Sequence, residues 1–237
     1  MRRFYAPPEN LANTEVLLDA DETRHLRDVL RLQSGDAVSV FDGTGREFGC
    51  LIGTISKRET TLKIVRETPP PSVESPFAIT LAAAILKGEK FDLVVQKAVE
   101  LGVVKVVPLL TARGDVKPKD VGKRVDRWRR IALEATKQCG RARLMEIGEP
   151  ASFGELISTE KDAVLFSERG GGDFATIEPG KKITAYIGPE GGWDDSELGL
   201  AAANGVTVAT LGGRVIRAET AAISICTILQ HRFGDLK

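Results

Sequence analysis

With 237 residues, 42% of them hydrophobic, the chain can fill one large or two modest cores. Basic and acidic side chains balance at 33 each, so no global field draws nucleic acid and any such binding must come from a local patch. Cys50, Cys139 and Cys226 stand far apart, with only His25 and His231 to join them, which argues against a zinc site or a disulfide scaffold and for reduced, buried thiols.

The N-terminus, MRRFYAPPEN, lacks the apolar core of a signal peptide, and no apolar run reaches the ~20 residues that span a bilayer. A soluble, cytoplasmic protein is therefore expected. Residues 1 to about 67 look β-rich: strands are expected over Glu15–Leu18, Ala37–Phe41, Glu47–Ile55 and Thr60–Val65, with Asp42-Gly43-Thr44-Gly45 as a turn. One helix is expected over Glu22–Leu32, capped by Asp21, with Leu26, Val29 and Leu30 on its inner face. Its other face carries Arg24, His25, Arg27 and Arg31, either as a solvated surface or as phosphate contacts. Gly43 and Gly45 open no dinucleotide fingerprint, because no third glycine follows and a strand comes next; no GxxxxGK[ST] exists either.

Thr68–Pro76 holds four prolines and no apolar periodicity. It reads as a stiff linker and divides a domain at 1–70 from one at 77–237, with 71–76 as the connection. Beyond it strands and helices alternate. Phe77–Leu86 is a continuous apolar run, Glu89–Leu101 has apolar residues at helical spacing closed by Gly102, and Val103–Leu109 is the next strand. This order predicts a mostly parallel sheet with helices on both faces. Lys87 and Lys90 sit at the strand-to-helix turn, as solvated charges or as RNA contacts.

Residues 113–143 hold eleven basic and four acidic side chains, a net +7 on a neutral chain. Val121, Val125, Trp128, Ala132 and Ala135 share one helical face, so Trp128 should pack inward and the arginines project outward. Such a run can be a solvated face; its concentration here favours a phosphate-tracking surface. Asp162–Phe166 is another strand, followed by Ser167-Glu168-Arg169 and three glycines. Ile183–Ile187 then stops at Gly188-Pro189-Glu190-Gly191-Gly192, and Asp194 with Glu197 forms a capping-box pattern ahead of a helix that Gly205 ends. Strand Val206–Leu211 runs into Gly212-Gly213-Arg214-Val215-Ile216-Arg217 and a last helix over Ala218–Arg232. That helix is apolar around most of its circumference and is expected to be buried, within the domain or against a second copy. Two glycine loops at strand carboxyl ends, each feeding a helix, describe a ligand crevice in an open α/β sheet.

GPEGGW with LGGRVIRAETA closely resembles the signature of the SPOUT superfamily of RNA methyltransferases, and within it the bacterial ribosomal RNA small subunit methyltransferase E family. KGEKFDLVVQKAVELGV and QCGR are similar to the same family, and HLRDVLRLQSGD to its PUA-like module; where an acidic residue is common in the family, Lys137 stands here. The resemblance implies an α/β fold: a trefoil-knotted parallel-sheet domain behind a small PUA-like, RNA-binding β-barrel. It also implies S-adenosylmethionine held among three loops, and methylation of a uridine N3 in 16S ribosomal RNA, near the decoding centre. No metal is called for. The cofactor contacts implied are Leu165 and Phe166, then Gly188, Pro189, Glu190, Gly191 and Gly192, then Leu211, Gly212, Val215, Ile216, Arg217 and Thr220. Arg217 is the expected electrostatic stabiliser, with Glu219 or Glu190 as base or positioning group. RNA contacts are expected from Arg24, Arg27, Arg31, Lys87, Lys90, Arg124, Arg127 and Arg141. The partners implied are 16S RNA or the 30S subunit and a second copy of the chain. Ribose 2′-O methylation and a non-catalytic ribosome-assembly role stand as the alternatives.

Overall fold

Short alternations of buried and exposed side chains between Arg3 and Thr68 produce five strands: β1 (Arg3–Tyr5), β2 (Glu15–Leu18), β3 (Ala37–Phe41), β4 (Glu47–Ile55) and β5 (Thr60–Thr68). In this computed structural model, which describes residues 2–116, 121–160 and 162–237, they form one sheet in the order β1-β3-β4-β5-β2. Only the β1–β3 pairing is parallel. Lys117, Lys119 and Asp120 of the basic run lie outside the described residues. Phe4, Val16, Leu18, Leu26, Val40, Phe48, Ile52 and Leu62 pack into one core against the sheet.

The helix expected over Glu22–Leu32 starts earlier and changes pitch. It is α-helical over Ala20–Arg24 (α1), then takes a π turn over His25–Val29. The cap is Asp19 and not Asp21: its carboxylate accepts the amides of Asp21 and Glu22 at 3.0 and 2.9 Å. The wider turn rotates the following residues, so Leu26 stays in the core while Val29, expected beside it, is 68% exposed. Arg31 then takes a left-handed φ of 53°, unusual for a side chain of its size.

The chain packs as two units. The first joins Met1–Glu74 to a distant segment, Thr136–Leu144. Arg3, buried, explains the attachment: its guanidinium donates to the carbonyls of Thr136 (2.9 Å) and Arg141 (2.7 Å), forks onto Glu47, and lies 4.2 Å over the Phe41 ring. Lys137 is buried as well, its ammonium 2.9 Å from the Glu22 carboxylate, and Arg141 forks onto Glu74. These two cations therefore serve packing. Arg141, expected among the RNA contacts, is only 3% exposed and has its guanidinium committed to Glu74.

The second unit, Ser75–Ala135 with Met145–Lys237, holds β6 (Ala78–Ala84), α2 (Lys90–Glu100), β7 (Lys105–Leu110), most of α3 (Gly122–Cys139), β8 (Glu146–Ile147), β9 (Ala151–Ser152) and α4 (Phe153–Ile157). It continues through β10 (Ala163–Phe166), β11 (Gly172–Asp173), β12 (Lys182–Ile187), α5 (Asp195–Ala203), β13 (Thr207–Thr210) and α6 (Ala218–Phe233). The sheet runs β11-β13-β10-β12-β6-β7-β8, with β9 also on β7, and every pairing is parallel. Phe91, Val94, Val95, Ala98 and Val99 of α2 are buried, and Trp128 of α3 packs 4.5 Å from the Phe91 ring with its Nε1 donating to Asp92. Within the single chain helix α6 is buried on one side: Ala222, Ile225, Cys226 and Leu229 are buried, Thr220, Thr227 and His231 are exposed, and Ile223, Ser224 and Ile228 are half-buried. No helix among the described residues is long and apolar enough to cross a membrane.

Candidate active site

Three neighbouring strands place the site. In the order β13-β10-β12, Phe166 at the end of β10 stands level with Ile187 of β12 and Ala209 of β13. Parallel strands in register end together, so the loops after them, 167–171, 188–194 and 211–217, must emerge side by side. They enclose a cleft of about 860 Å3, inside the usual range for a small-molecule site.

The middle loop is the most firmly held. Trp193 is 1% exposed, and its Nε1 donates to the Phe166 carbonyl at 2.8 Å, tying the second loop to the first strand end. Its ring packs against Phe153, and a Cβ at Gly188 would stand about 3.0 Å from the indole, tighter than ordinary contact. Asp194 caps α5 and Glu197 closes the capping box; the buried Glu197 carboxylate also accepts the Ala112 amide at 2.9 Å from the loop after β7. Three cations grip the same loop from three sides. Arg113 donates to Gly191 O and to Asp194, Arg169 to Trp193 O and Asp195, and Lys90 to Glu190. The bonds to Ser196, and then to Arg113, hold the Asp194 carboxyl below its ordinary range, so it stays ionised as a cap.

The third loop is open. Leu211 to Arg217 are all exposed, Val215 at 85%. Gly212 and Gly213 adopt φ of 74° and 75° with no atom within 4 Å of where a Cβ would stand. Main chain thus faces the cleft bare of side chains, a surface suited to the close backbone approach of a ligand. Arg217 is the N-cap of α6 and lines the cleft, and its own side chain makes no capping hydrogen bond to that helix.

Of the residues expected to hold cofactor, Phe166, Gly188, Pro189, Glu190, Gly191, Gly192, Leu211, Gly212, Val215, Ile216 and Arg217 line the cleft. Leu165 and Thr220 do not: Leu165 points into the core at 0% exposure, and Thr220 is on the exposed side of α6. Glu219 is not a lining residue either; its Oε2 is buried and meets no hydrogen-bond partner among the described residues. The cleft adds Ser167, Glu168, Thr210, Gly213, Arg214 and Ile225, which were not expected as contacts, and Arg113, Arg169 and Trp193 were missed as its supports.

The expected RNA cations are mostly engaged. Arg24 pairs with Asp21, Arg27 with Asp28, Lys87 with Asp115, and Arg127 with Glu89 and Asp92. Arg124 donates to Leu86 O, and Arg31 is exposed. The exposed pairs are weak and exchangeable, so phosphate can compete for them. Cys50 and Cys226 are buried thiols pushed up to about 11 and about 12 by desolvation, whereas Cys139 is half-buried.

Residues 73–230 match the family model of an RNA methyltransferase domain, and residues 18–65 that of an RNA methyltransferase PUA domain. The chain is 33% identical to the ribosomal RNA small subunit methyltransferase E of Synechocystis over 92% of its length and 74% of that protein's. To the ribosomal RNA small subunit methyltransferase E of Buchnera aphidicola subsp. Acyrthosiphon pisum it is 31% identical, covering 92% of this chain and 88% of that protein. Among solved structures, the ribosomal RNA small subunit methyltransferase E of Neisseria gonorrhoeae, bound to S-adenosyl methionine, superposes with a TM-score of 0.91 at 31% identity over all of both chains. A Legionella pneumophila methyltransferase with bound SAM gives 0.91 at 32% identity, over 99% of each.

Proposed function

Since the chain belongs to the RNA methyltransferase domain family, we propose that it methylates 16S ribosomal RNA from S-adenosylmethionine, at N3 of a uridine near the decoding centre. One observation carries the reading: three level strand ends enclose a cleft whose third wall is bare glycine backbone and whose mouth bears Arg214 and Arg217. When bound, S-adenosylmethionine supplies an electrophilic methyl group on a sulfonium whose departure takes both electrons of the S–CH3 bond.

The chain's own residues do the rest. The backbone of Gly188, Gly191, Leu211 and Gly212 would receive the adenosine and amino-acid ends, with Phe166, Val215 and Ile216 as apolar walls. Trp193 keeps the first two loops at a fixed separation. Uridine N3 carries an imide proton, so negative charge develops on the ring as that proton leaves. Arg217 at the mouth, aided by the first turn of α6, stabilises that charge. N3 lies on the Watson–Crick edge, so the target base must be unpaired or turned out of its stack. The PUA unit, with Arg24, Arg27 and Arg31 near its surface, supplies phosphate contacts, and Lys87, Arg124 and Arg127 do so in the second unit.

The half-buried Ile223 and Ile228, beside Thr220, Ser224 and Thr227, form one stripe along α6 that supports a homodimer through this helix. The working place of the enzyme is then the cytoplasm, on the 30S particle. The test is incubation with methyl-labelled donor and either 30S particles or naked 16S RNA, followed by mapping of the product. Label on one uridine base at N3 is the expected result. Label on a ribose would make it a 2′-O methyltransferase, and neither label nor donor binding would leave an RNA-binding assembly factor.

A further inference from the structure

The carboxylates offered to the uridine proton are not equivalent. Glu190 lines the cleft, whereas Glu219, on the first turn of α6, does not and keeps one oxygen buried. Glu190 is also gripped from outside its own loop. Lys90, the first residue of α2, donates from its ammonium to Glu190 Oε1, bridging 100 residues of sequence. The bond engages one carboxylate oxygen only, and Glu190 remains partly exposed, with 31% of its side chain accessible. Other charges act on the same ammonium: Glu219 favours its charged form and Arg217 opposes it, with the Glu190 bond the dominant influence. Lys90, Glu190, Arg217 and Glu219 therefore form one electrostatic group spanning the start of α2, the second loop and the start of α6.

On the reading of the cleft given above, we infer that Lys90 is a positioning residue which fixes Glu190 in the cleft as the acceptor of the uridine N3 proton. Lys90 was also expected to touch the RNA backbone; its bond to Glu190 sets its ammonium against a residue that lines the cleft. The step balances: the N3–H bond breaks heterolytically, the proton passes to the Glu190 carboxylate, and the electron pair stays on N3 to bond the incoming methyl carbon. A carboxylate anchored through one oxygen has its side-chain rotamers settled before substrate arrives, and the other oxygen remains for the proton. Arg217, also in the cleft wall, then faces the charge left on the ring. Glu219 acts at longer range, offsetting Arg217 at the Lys90 ammonium.

The experiment compares wild type, Lys90→Met, Lys90→Arg, Glu190→Gln and Glu219→Gln, each checked by thermal denaturation. Two readouts are taken: calorimetric affinity for S-adenosylmethionine, and single-turnover methyl transfer at saturating donor across a series of 30S concentrations, which separates the transfer step from RNA binding. Lys90→Met should hold donor affinity within about threefold and lower the saturated transfer rate by about tenfold or more. Lys90→Arg should restore most of that rate. Glu190→Gln should lose at least as much, and Lys90→Met added to it should lower the rate little further, whereas Lys90→Met added to Glu219→Gln should keep its full effect. A saturated rate unchanged in Lys90→Met, or a full further loss when it is added to Glu190→Gln, would overturn the inference. Wild type failing to methylate N3 at all would instead overturn the function proposed for the cleft.

Discussion

Replacement of Trp193 by phenylalanine removes a side-chain bond between the β12 loop and the end of β10. The indole Nε1 donates to the Phe166 carbonyl at 2.8 Å from a ring that is 1% exposed, so no water can take its place without opening the core. Leaving a buried carbonyl without its donor costs about 1–3 kcal/mol. Shrinking the indole to a phenyl ring leaves a void of roughly 40 Å3, worth about 1 kcal/mol at ~24 cal/mol per Å3. The variant should thus lose about 2–4 kcal/mol of the unfolding free energy of its unit. Urea denaturation followed by far-ultraviolet circular dichroism measures this as a lower midpoint at unchanged slope. Because the bond fixes the spacing of two cleft walls, affinity for S-adenosylmethionine should also fall, by about tenfold if ~1.4 kcal/mol of ordering is transferred to the binding step. A variant with the wild-type midpoint and the wild-type affinity would refute the claim that this bond sets the cleft.

Arg217→Ala should keep donor binding within a few-fold and lower methyl transfer by about 10²–10³, as the loss of one preorganised charge donor does; equal transfer rates would remove Arg217 from the chemistry. Lys137→Met should destabilise the first unit by about 3–5 kcal/mol, since Glu22 stays buried without its ammonium, whereas the double replacement Glu22→Met with Lys137→Met should cost much less. Equal losses in the two variants, read by thermal denaturation, would show that the pair does not act as one. The thiols set an alkaline limit: Cys50 and Cys226 rise from 9.0 to about 11 and about 12 in the folded chain. Their contribution is complete below pH 9 and is lost as pH climbs through those values, with stability falling by about 1.4 kcal/mol per pH unit per thiol once the unfolded thiols ionise. Unfolding midpoints between pH 8 and 11 check the sign.

Where a feature rests on neighbours in the chain, the residues announced it. Asp194 and Glu197 are three apart and make the capping box their spacing predicts, and the apolar face of α3 puts Trp128 inside. The glycine loops were legible because only glycine suits bare, left-handed backbone, as at Gly212 and Gly213. What escaped depends on residues brought together from afar. Arg141 and Lys137 look like members of a basic surface until Glu74 and Glu22, 67 and 115 positions away, fold against them. Arg113 and Arg169 read as loop charges, and nothing local reveals that both close on the Gly191–Asp195 stretch. The start of α1 differs from the expectation because Asp19 and Asp21 are both residues that favour an N-cap position; the fold selects Asp19, whose carboxylate takes the amides of Asp21 and Glu22.

The borrowed segment Thr136–Leu144 bears on how this chain comes into being. Its first unit cannot close on Arg3 until residue 144 has left the exit tunnel, so by then the strands and helices of the early second half are already outside and competing for partners. A fragment cut at the proline-rich stretch would leave Arg3 without the carbonyls it grips and Glu22 without its cation. Vectorial synthesis does not complete the front before the back is begun; the nascent chain must hold its opening third unfinished and seal it with residues from its middle.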